Sequence, residues 1–311
     1  MVRSVPRKKS LGSRIWGARQ AYLFLMPLLA GLLIFNYFPF FSGLYHSLFD
    51  WDAVGKATFI GLDNFKELFS DPDFLSTIPT LFKIAIPKLI ISIFVPLIAA
   101  EMIFAIRSDK AQRAYRVIVL LPMVAPGVVM MLLWKYIYDP NAGVLTAVLR
   151  ALGIMGQDQV INWLGDPNWV IFSIVFMYFP WIGGTSVLIY MSGLMNISTE
   201  IIESTRLDGA NTFQRIWRVD MPLLMGQIRY FLIFGIIGNL QDYNVQLVLT
   251  NGGPGYTTVV PGYYMYRKAF LANRMGYASA VGVVMFIVIM LLTFLFYRYL
   301  NSDATSDKLS R

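Results

Sequence analysis

The feature that most constrains this sequence is a set of long segments with almost no charged side chains. Between Arg19 and Asp50 there is no Asp, Glu, Lys or Arg, and about 20 apolar residues suffice for a helix to cross the hydrocarbon core of a bilayer. Charged residues make up 14% of the chain, whereas soluble domains carry about a quarter. Lipid offers no hydrogen-bond partner to an unpaired backbone group, so these segments must be helical. The predicted fold class is therefore an all-α polytopic membrane protein.

Six such segments predict six transmembrane helices. Five of them carry no charge or a single one, and they cover residues 21–45, 117–134, 169–199, 230–250 and 278–297. The segment 79–104 has charged residues at both ends, and it is included because the topology requires an even number of crossings. The predicted organisation is a basic N-terminal segment over residues 1–20, a six-helix membrane domain over 21–300 and a tail over 301–311.

The basic residues indicate the orientation of the chain. If the N-terminus is cytoplasmic, 17 of the 26 Lys and Arg residues fall in cytoplasmic segments, where membrane proteins concentrate them. Both termini are therefore expected in the cytoplasm, with the chain in a prokaryotic plasma membrane. The same distribution explains the net charge of +8 without a nucleic-acid partner. The first apolar run is too long for a signal peptide and lacks a small-x-small cleavage site.

Composition excludes several kinds of chemistry. The chain has no Cys and one His, so a thiol nucleophile, a disulfide framework and a Cys- or His-rich metal site are excluded. It contains no G-x-x-x-x-G-K-[ST] phosphate-binding motif, so it is not expected to hydrolyse ATP. Glu203 and Asp208 lie on a solvated loop with no implied pocket, which argues against acid–base catalysis. No cofactor, metal or enzymatic activity is expected in this chain.

A distinctive polar segment, residues 197–222, lies between the fourth and fifth predicted spans. Its pattern predicts two short helices around Gly209, with Ser198 capping the first helix and Pro222 ending the second. Gly209 permits a turn that a side chain would hinder. The second helix has an apolar face made of Phe213, Ile216 and Trp217. Periodicity alone is equally consistent with an amphipathic helix lying at the cytoplasmic membrane interface.

The spacing within this segment is more specific than its periodicity. Glu203, two small residues (Ser204 and Thr205), three further residues and Gly209 are followed, after nine residues, by an apolar residue and then Pro222. This pattern resembles the EAA loop of ABC importer permeases, in which a coupling helix docks in a groove on a cytoplasmic ATPase. We call residues 197–222 the coupling loop. The resemblance implies ATPase contacts at Glu203, Ser204, Thr205, Asp208, Gly209 and Pro222.

Other segments resemble the maltose-type, carbohydrate-transporting branch of these permeases. They are residues 59–65, 249–254, 266–270 and 276–280. The resemblance implies a heterodimer with a second related permease, two ATP-hydrolysing subunits that hold ATP and Mg²⁺, and an extracellular or periplasmic solute-binding protein. The expected substrate is a sugar or oligosaccharide. The rival interpretation, an ion-coupled secondary transporter, should show internal repeats and broken helices, and no convincing repeat is visible.

A polar stripe on the fifth span is a candidate substrate contact. Gly235, Asn239, Asp242 and Gln246 are spaced by 4, 3 and 4 residues, which predicts one helical face. Such a face must meet a cavity or another helix. Its polar side chains would either form hydrogen bonds to another helix or contact the substrate. The resemblance favours substrate contact, because Gly235, Asn239 and Asp242 match sugar-contacting positions of the maltose-type branch.

Two further positions are candidates by resemblance, and one is a departure. Tyr178 and Trp181, which flank Phe179-Pro180, match pocket positions of the same branch. Aromatic rings and amides suit the apolar faces and hydroxyls of sugars. Lys88 stands where the family usually has an uncharged residue. Its ammonium would either reach outward to the interface, pair with Asp242, or meet an acidic sugar or a sugar-phosphate-like substrate.

Overall fold

The computed structural model describes Gly12 and residues 16–302. Most of the predicted N-terminal segment 1–20 and tail 301–311 lies outside these residues, so both assignments stay predictions. The helices, in chain order, are α1 (Arg19–His46), α2 (Asp63–Ser70), α3 (Pro72–Phe104), α4 (Asp109–Leu120), α5 (Gly127–Ile137), α6 (Val144–Ala151), α7 (Val170–Phe176), α8 (Gly184–Met195), α9 (Thr199–Leu207), α10 (Thr212–Leu223), α11 (Met225–Gln241), α12 (Pro261–Tyr266) and α13 (Met275–Ser302). A short antiparallel hairpin, β1 (Phe49–Asp50) and β2 (Thr58–Phe59), follows α1.

Three of the described helices are uninterrupted and long and apolar enough to cross a membrane. These are α1, α3 and the 24-residue part of α13 up to Arg298. The weakest of the six predicted spans, 79–104, is part of α3, which is 33 residues long and begins at Pro72. Asp71 caps α3 by accepting a hydrogen bond from the Asp73 backbone, and proline is well tolerated at a first helical position.

The third, fourth and fifth predicted spans are each broken, whereas the sequence predicted a single helix for each. The third bends by 89° between Val124 and Gly127, and the fifth is interrupted at Asp242, where α11 ends. A further bend of 70°, where α10 meets α11, lies before the fifth predicted span. The fourth is divided into α7 and α8 by the irregular residues 177–183. Pro126 and Pro180 lie at two of these breaks, and proline cannot donate the backbone hydrogen bond that a continuous helix needs.

Helix α3 is the centre of the bundle. Its Leu97 and Ala100 pack against Val187 and Tyr190 of α8 in a buried cluster. Its Ala85 packs against Ile236 of α11 in a second buried cluster. This central position follows from composition, because α3 has apolar side chains around most of its circumference.

Helix α1 is the least buried of the long helices. No residue of its most apolar window is buried against the rest of the chain. Only its final turns pack inward, where the Phe40 ring meets the Phe286 ring of α13 with centroids 5.1 Å apart. The hairpin that follows is fixed by Asn64, whose side-chain amide donates to the carbonyls of Ser47 and Phe49.

Candidate substrate cavity and coupling loop

A cavity of about 700 Å³ opens beside the middle of α3. Four predicted site residues line it, namely Lys88 of α3, Tyr178 and Trp181 from the break between α7 and α8, and Asn239 of α11. An adjoining open groove of about 560 Å³ is lined by Gly235, Asn239 and Asp242. The structure therefore brings six of the seven predicted substrate residues to two neighbouring concavities that share Asn239.

The break between α7 and α8 aims two aromatic side chains at this cavity. Tyr178 and Trp181 have backbone φ angles of +69° and +57°, in the left-handed region that side-chain-bearing residues rarely adopt. The Trp181 indole N–H donates to the Val175 carbonyl at 3.1 Å, and its ring meets the Phe179 ring edge-to-face at 4.9 Å. The indole is thus held in one orientation. Unusual backbone conformations of this kind concentrate at functional sites.

Lys88 and Asp242 form an ion pair between α3 and the end of α11. The Lys88 ammonium donates to Asp242 Oδ2 at 3.0 Å, and the side chains are 22% and 29% exposed. The other carboxylate oxygen of Asp242 accepts from the backbone and side-chain N–H groups of Asn244, each at 3.1 Å. Of the three environments considered for Lys88, the structure therefore has the pair with Asp242, while Lys88 still lines the cavity.

The predicted stripe on the fifth span is interrupted at Asp242. Helix α11 ends at Gln241, Asp242 is extended, and a π-helical turn begins at Gln246. The hydrogen bonds from Asn244 to the Asp242 carboxylate compete with the backbone pattern that a continuous helix requires. Gln246 therefore does not share a face with Asn239, contrary to the prediction. It is buried, and it lines neither concavity.

Gly235 and Asn239 keep their predicted relation on one face of α11. The Asn239 amide donates to the Gly235 carbonyl at 2.9 Å. A Cβ at Gly235 would lie 2.5 Å from Leu89 Cδ1, so this glycine lets α11 approach α3 closely. The sequence analysis missed Ser92, which lines both concavities. Its position one turn after Lys88 on the same helix was the available signal.

The coupling loop folds as two short helices around a glycine, as predicted. Gly209 has φ = +74° and links α9 to α10. The capping differs from the prediction, because Ser198 occupies the N-cap position of α9 without a side-chain hydrogen bond. The second helix instead has a capping box, in which Asn211 and Gln214 each accept from the other's backbone N–H.

Pro222 does not end the second helix, contrary to the prediction. A π-helical turn covers Ile216–Asp220, and Pro222 lies in the first turn of the short α-helical segment that follows. The missing N–H of proline is harmless at that position. Helix α10 ends one residue later, at Leu223, and the bend into α11 follows.

The coupling loop presents exposed apolar and acidic side chains together. Leu207, Phe213 and Trp217 are 89%, 73% and 60% exposed, and the Phe213 and Trp217 rings are stacked with centroids 6.4 Å apart. Glu203, Ser204, Asp208 and Gly209 are exposed as well, whereas Thr205 is buried and donates to the Ile201 carbonyl. Exposed apolar patches rimmed by polar residues mark interaction surfaces.

Comparison with known proteins decides the family. Residues 92–306 match the family described as binding-protein-dependent transport system inner membrane component. The chain belongs to this family. It is accordingly a multi-pass membrane permease, and the coupling loop and both concavities lie mostly within the matched residues.

Two curated relatives resemble the permease along most of its length. Probable ABC transporter permease protein YurN of Bacillus subtilis (strain 168) is 32% identical over 287 residues, which cover 90% of this chain and 96% of that protein. The multiple sugar-binding transport system permease protein MsmF of Streptococcus mutans serotype c is 30% identical over 279 residues, with coverages of 89% and 92%.

A solved structure shares the fold of the permease. It is the crystal structure of a bacterial ABC transporter involved in the import of the acidic polysaccharide alginate, with a TM-score of 0.83. The alignment covers 95% of this chain and 100% of that chain at 23% identity. At this identity the likeness shows the fold alone.

At the end of α3 opposite the coupling loop, a polar cluster joins α3 to α12 and α13 of the permease. Asp71 accepts hydrogen bonds from the hydroxyls of Tyr264 and Tyr277. Beside it, Arg274 makes two hydrogen bonds of 2.6 Å to the Glu67 carboxylate, which hold the pKa of Glu67 below its usual range. These contacts link residues about 200 positions apart, and the sequence analysis did not find them.

Proposed function

We propose that this permease translocates a sugar or oligosaccharide, delivered by an extracellular binding protein, through the cavity beside α3. The observation that carries the proposal is the convergence of Tyr178, Trp181 and Asn239 on one cavity. Aromatic rings stack on the apolar faces of sugars, and an amide both donates to and accepts from hydroxyls. The similarity to MsmF, a permease of a multiple sugar-binding transport system, supports the same substrate class.

The ion pair favours a neutral sugar. Lys88 lines the cavity, but its charge is compensated by Asp242 at 3.0 Å. A carboxylate on the substrate would have to compete with Asp242, which Asn244 already holds in place. A second candidate is an acidic sugar or a sugar-phosphate-like substrate bound at Lys88. The alginate importer with a similar fold supports that candidate.

The energy for transport is proposed to come from partner subunits. Two ATP-hydrolysing subunits, which hold ATP and Mg²⁺, would dock on the exposed apolar and acidic surface of the coupling loop. The unburied α1 suits packing against a second, related permease, since a helix this apolar needs either lipid or a protein neighbour. Broken helices occur here, as they do in secondary transporters, so they do not distinguish an ATP-driven importer from an ion-coupled transporter. The family to which the chain belongs favours the ATP-driven importer.

The test compares Trp181→Ala with Trp169→Ala in proteoliposomes that contain the whole transporter. Trp169 is an aromatic residue outside both concavities, so its variant controls for loss of a tryptophan. Loss of a stacking surface worth about 0.5–1.5 kcal/mol, plus lost packing, should lower uptake of the transported sugar by about tenfold in Trp181→Ala alone. Equal uptake by the two variants would show that the substrate does not pass through this cavity.

A further inference from the structure

A buried cluster of three charges lies outside both concavities, between the coupling loop and α3. The Arg215 guanidinium of α10 donates to Asp220 Oδ2 at 2.9 Å and to Glu101 Oε2 at 3.3 Å. The side chains of Arg215, Glu101 and Asp220 are 14%, 5% and 1% exposed. Neither the predicted coupling residues nor the predicted substrate residues include any of the three.

The geometry gives the two carboxylates different roles. Asp220 lies five residues after Arg215, across the π-helical turn, so it fixes the direction of the guanidinium within α10 itself. Glu101 lies near the end of α3 and is 114 positions away in sequence. The guanidinium also lies 5.9 Å from the centroid of the Phe104 ring, which is on α3 as well. Arg215 is therefore oriented by Asp220 of its own helix, and its guanidinium contacts Glu101 and Phe104 of α3.

This arrangement is poorly explained by stability alone. Burying ions costs hydration free energy that pairing often fails to recover. One guanidinium here serves two carboxylates, and Glu101 Oε1 has no hydrogen-bond partner within the described part of the chain. Apolar side chains of similar volume would fill the same space at less cost. The ion pairs instead fix the orientation of α10 relative to α3, since a guanidinium binds a carboxylate in a defined geometry.

Glu101 and Lys88 lie on the same helix. They are 13 residues apart on α3, which corresponds to about 20 Å at the rise of an α-helix. One end of α3 thus contacts the coupling loop, and its middle contributes a charged residue to the cavity. The peptide chain joins the coupling loop directly to α8 and α11, but α3 is reached through side-chain contacts.

We propose that Arg215 is a positioning residue that makes α3 move together with the coupling loop. A displacement of the loop by the ATPase subunits is delivered through Glu101 to the helix that carries Lys88. The inference rests on the proposed ATP-driven transport and adds the route by which the motion reaches the cavity. Apolar packing between the loop and α3 supplies contact, whereas the Arg215–Glu101 bond supplies a fixed orientation.

The first test measures whether the loop and α3 move as one unit. The chain has no Cys, so spin labels can be placed only at Met102→Cys on α3 and Arg218→Cys on α10, both of which are exposed. In the complete transporter, the distance between labels should have one narrow distribution, unchanged between the nucleotide-free and ATP-trapped states. Adding Glu101→Gln, Arg215→Met and Asp220→Asn together, which removes the cluster and leaves no buried charge, should broaden it. A distance that changes with nucleotide in the otherwise native chain would overturn the proposal.

The second test separates positioning from folding. Arg215→Met alone strands two carboxylates and is expected to reduce assembly, so the informative variant is Glu101→Gln with Arg215→Met and Asp220→Asn, which leaves no buried charge. This triple variant should assemble and hydrolyse ATP at the basal rate. Its stimulation by loaded binding protein and its sugar uptake should fall at least tenfold. Wild-type stimulation and uptake in the triple variant would overturn the proposal.

Two comparisons make the result specific. Arg113→Met removes an exposed arginine from α4, outside the coupling loop, and should leave stimulation unchanged. Arg215→Lys keeps the charge but not the planar guanidinium, and should recover assembly with only part of the stimulation. If the unmodified transporter shows no ATP-dependent uptake, the proposed function fails. If it transports normally and the triple variant does too, only the role of Arg215 fails.

Discussion

The coupling loop and the substrate cavity are built in different ways. The loop is one contiguous segment whose apolar side chains, such as Leu207 and Phe213, are exposed and whose shape is set by local capping. The cavity gathers residues from α3, the α7–α8 break and α11, and its charges are paired across helices. A surface of the first kind suits docking of a folded protein. A concavity of the second kind suits a polar ligand that must bind and then leave.

The two regions should therefore be sensitive to different kinds of substitution. In the loop, the requirement at Gly209 is on the backbone, because its φ is +74° and a Cβ there would meet nothing within 4 Å. In the cavity, side chains matter through their partners, as the pair of Lys88 and Asp242 shows. Backbone changes should therefore impair the loop, and changes of single partners should impair the cavity.

The largest expected effect tests which side of the membrane the loop occupies. In this Cys-free chain, Leu207→Cys on the loop and Val54→Cys on the hairpin after α1 are both highly exposed. An impermeant thiol reagent added to intact cells should label Val54→Cys and leave Leu207→Cys unlabelled, because the basic residues predict a cytoplasmic loop. Labelling of Leu207→Cys would invert the topology and remove the loop from any cytoplasmic ATPase.

The next prediction concerns Gly209→Val. A left-handed conformation costs a side-chain-bearing residue about 1–2 kcal/mol, and more when the side chain is β-branched. Transport should fall at least tenfold while membrane insertion is retained, as measured by uptake and by the amount of chain in the membrane. Gly226→Val is the matched control, because that glycine has equal space but no positive φ. Full substrate-stimulated ATP hydrolysis with Gly209→Val would contradict the assignment of the loop.

The loop was easier to predict from the sequence than the cavity, because its shape depends on residues that are close together in the chain. The helix–glycine–helix form of the loop depends on neighbours in sequence, so spacing was sufficient. Ser198 was misjudged because it occupies the N-cap position of α9 without making a side-chain hydrogen bond, and Pro222 was misjudged because a π-helical turn precedes it and the helix continues past it. Neither detail has a distinctive sequence signature.

The cavity depended on tertiary contacts that spacing does not encode. The prediction of one polar face on the fifth span failed at Asp242, where side-chain hydrogen bonds from Asn244 replaced the helical pattern. Ser92 lies one turn after Lys88 and could have been named from that spacing, but the concavities that it lines depend on tertiary contacts. The contact between Arg215 and Glu101 could not be anticipated from residues 114 positions apart.

A charge-pair cycle sharpens the account of the cavity. Lys88→Met or Asp242→Asn alone should leave one charge without its partner, at a cost of about 3 kcal/mol or less because both side chains retain some exposure. The double variant should recover assembly, measured as the amount of intact complex and its unfolding temperature. If the double variant is as unstable as the worse single variant, the pair does not stabilise the cavity.

The smallest expected effect is that of Asn239→Ala. This change removes a hydrogen bond to a neutral ligand, worth about 0.5–1.5 kcal/mol, so uptake should fall by about two- to tenfold. Asn168→Ala, on an exposed turn, controls for loss of an amide elsewhere. Basal ATP hydrolysis should be equal in both variants. Unchanged uptake in Asn239→Ala would leave this side chain with a packing role between α11 and its neighbours.

The central claim is that a cavity for sugar is driven by ATPase subunits acting through the coupling loop. Its most direct test is uptake by the complete transporter in proteoliposomes, measured with neutral oligosaccharides and with their uronic-acid counterparts. The account predicts uptake of the neutral sugar that requires both ATP and loaded binding protein and persists when ion gradients are dissipated. Uptake driven by a proton or sodium gradient without ATP would contradict it.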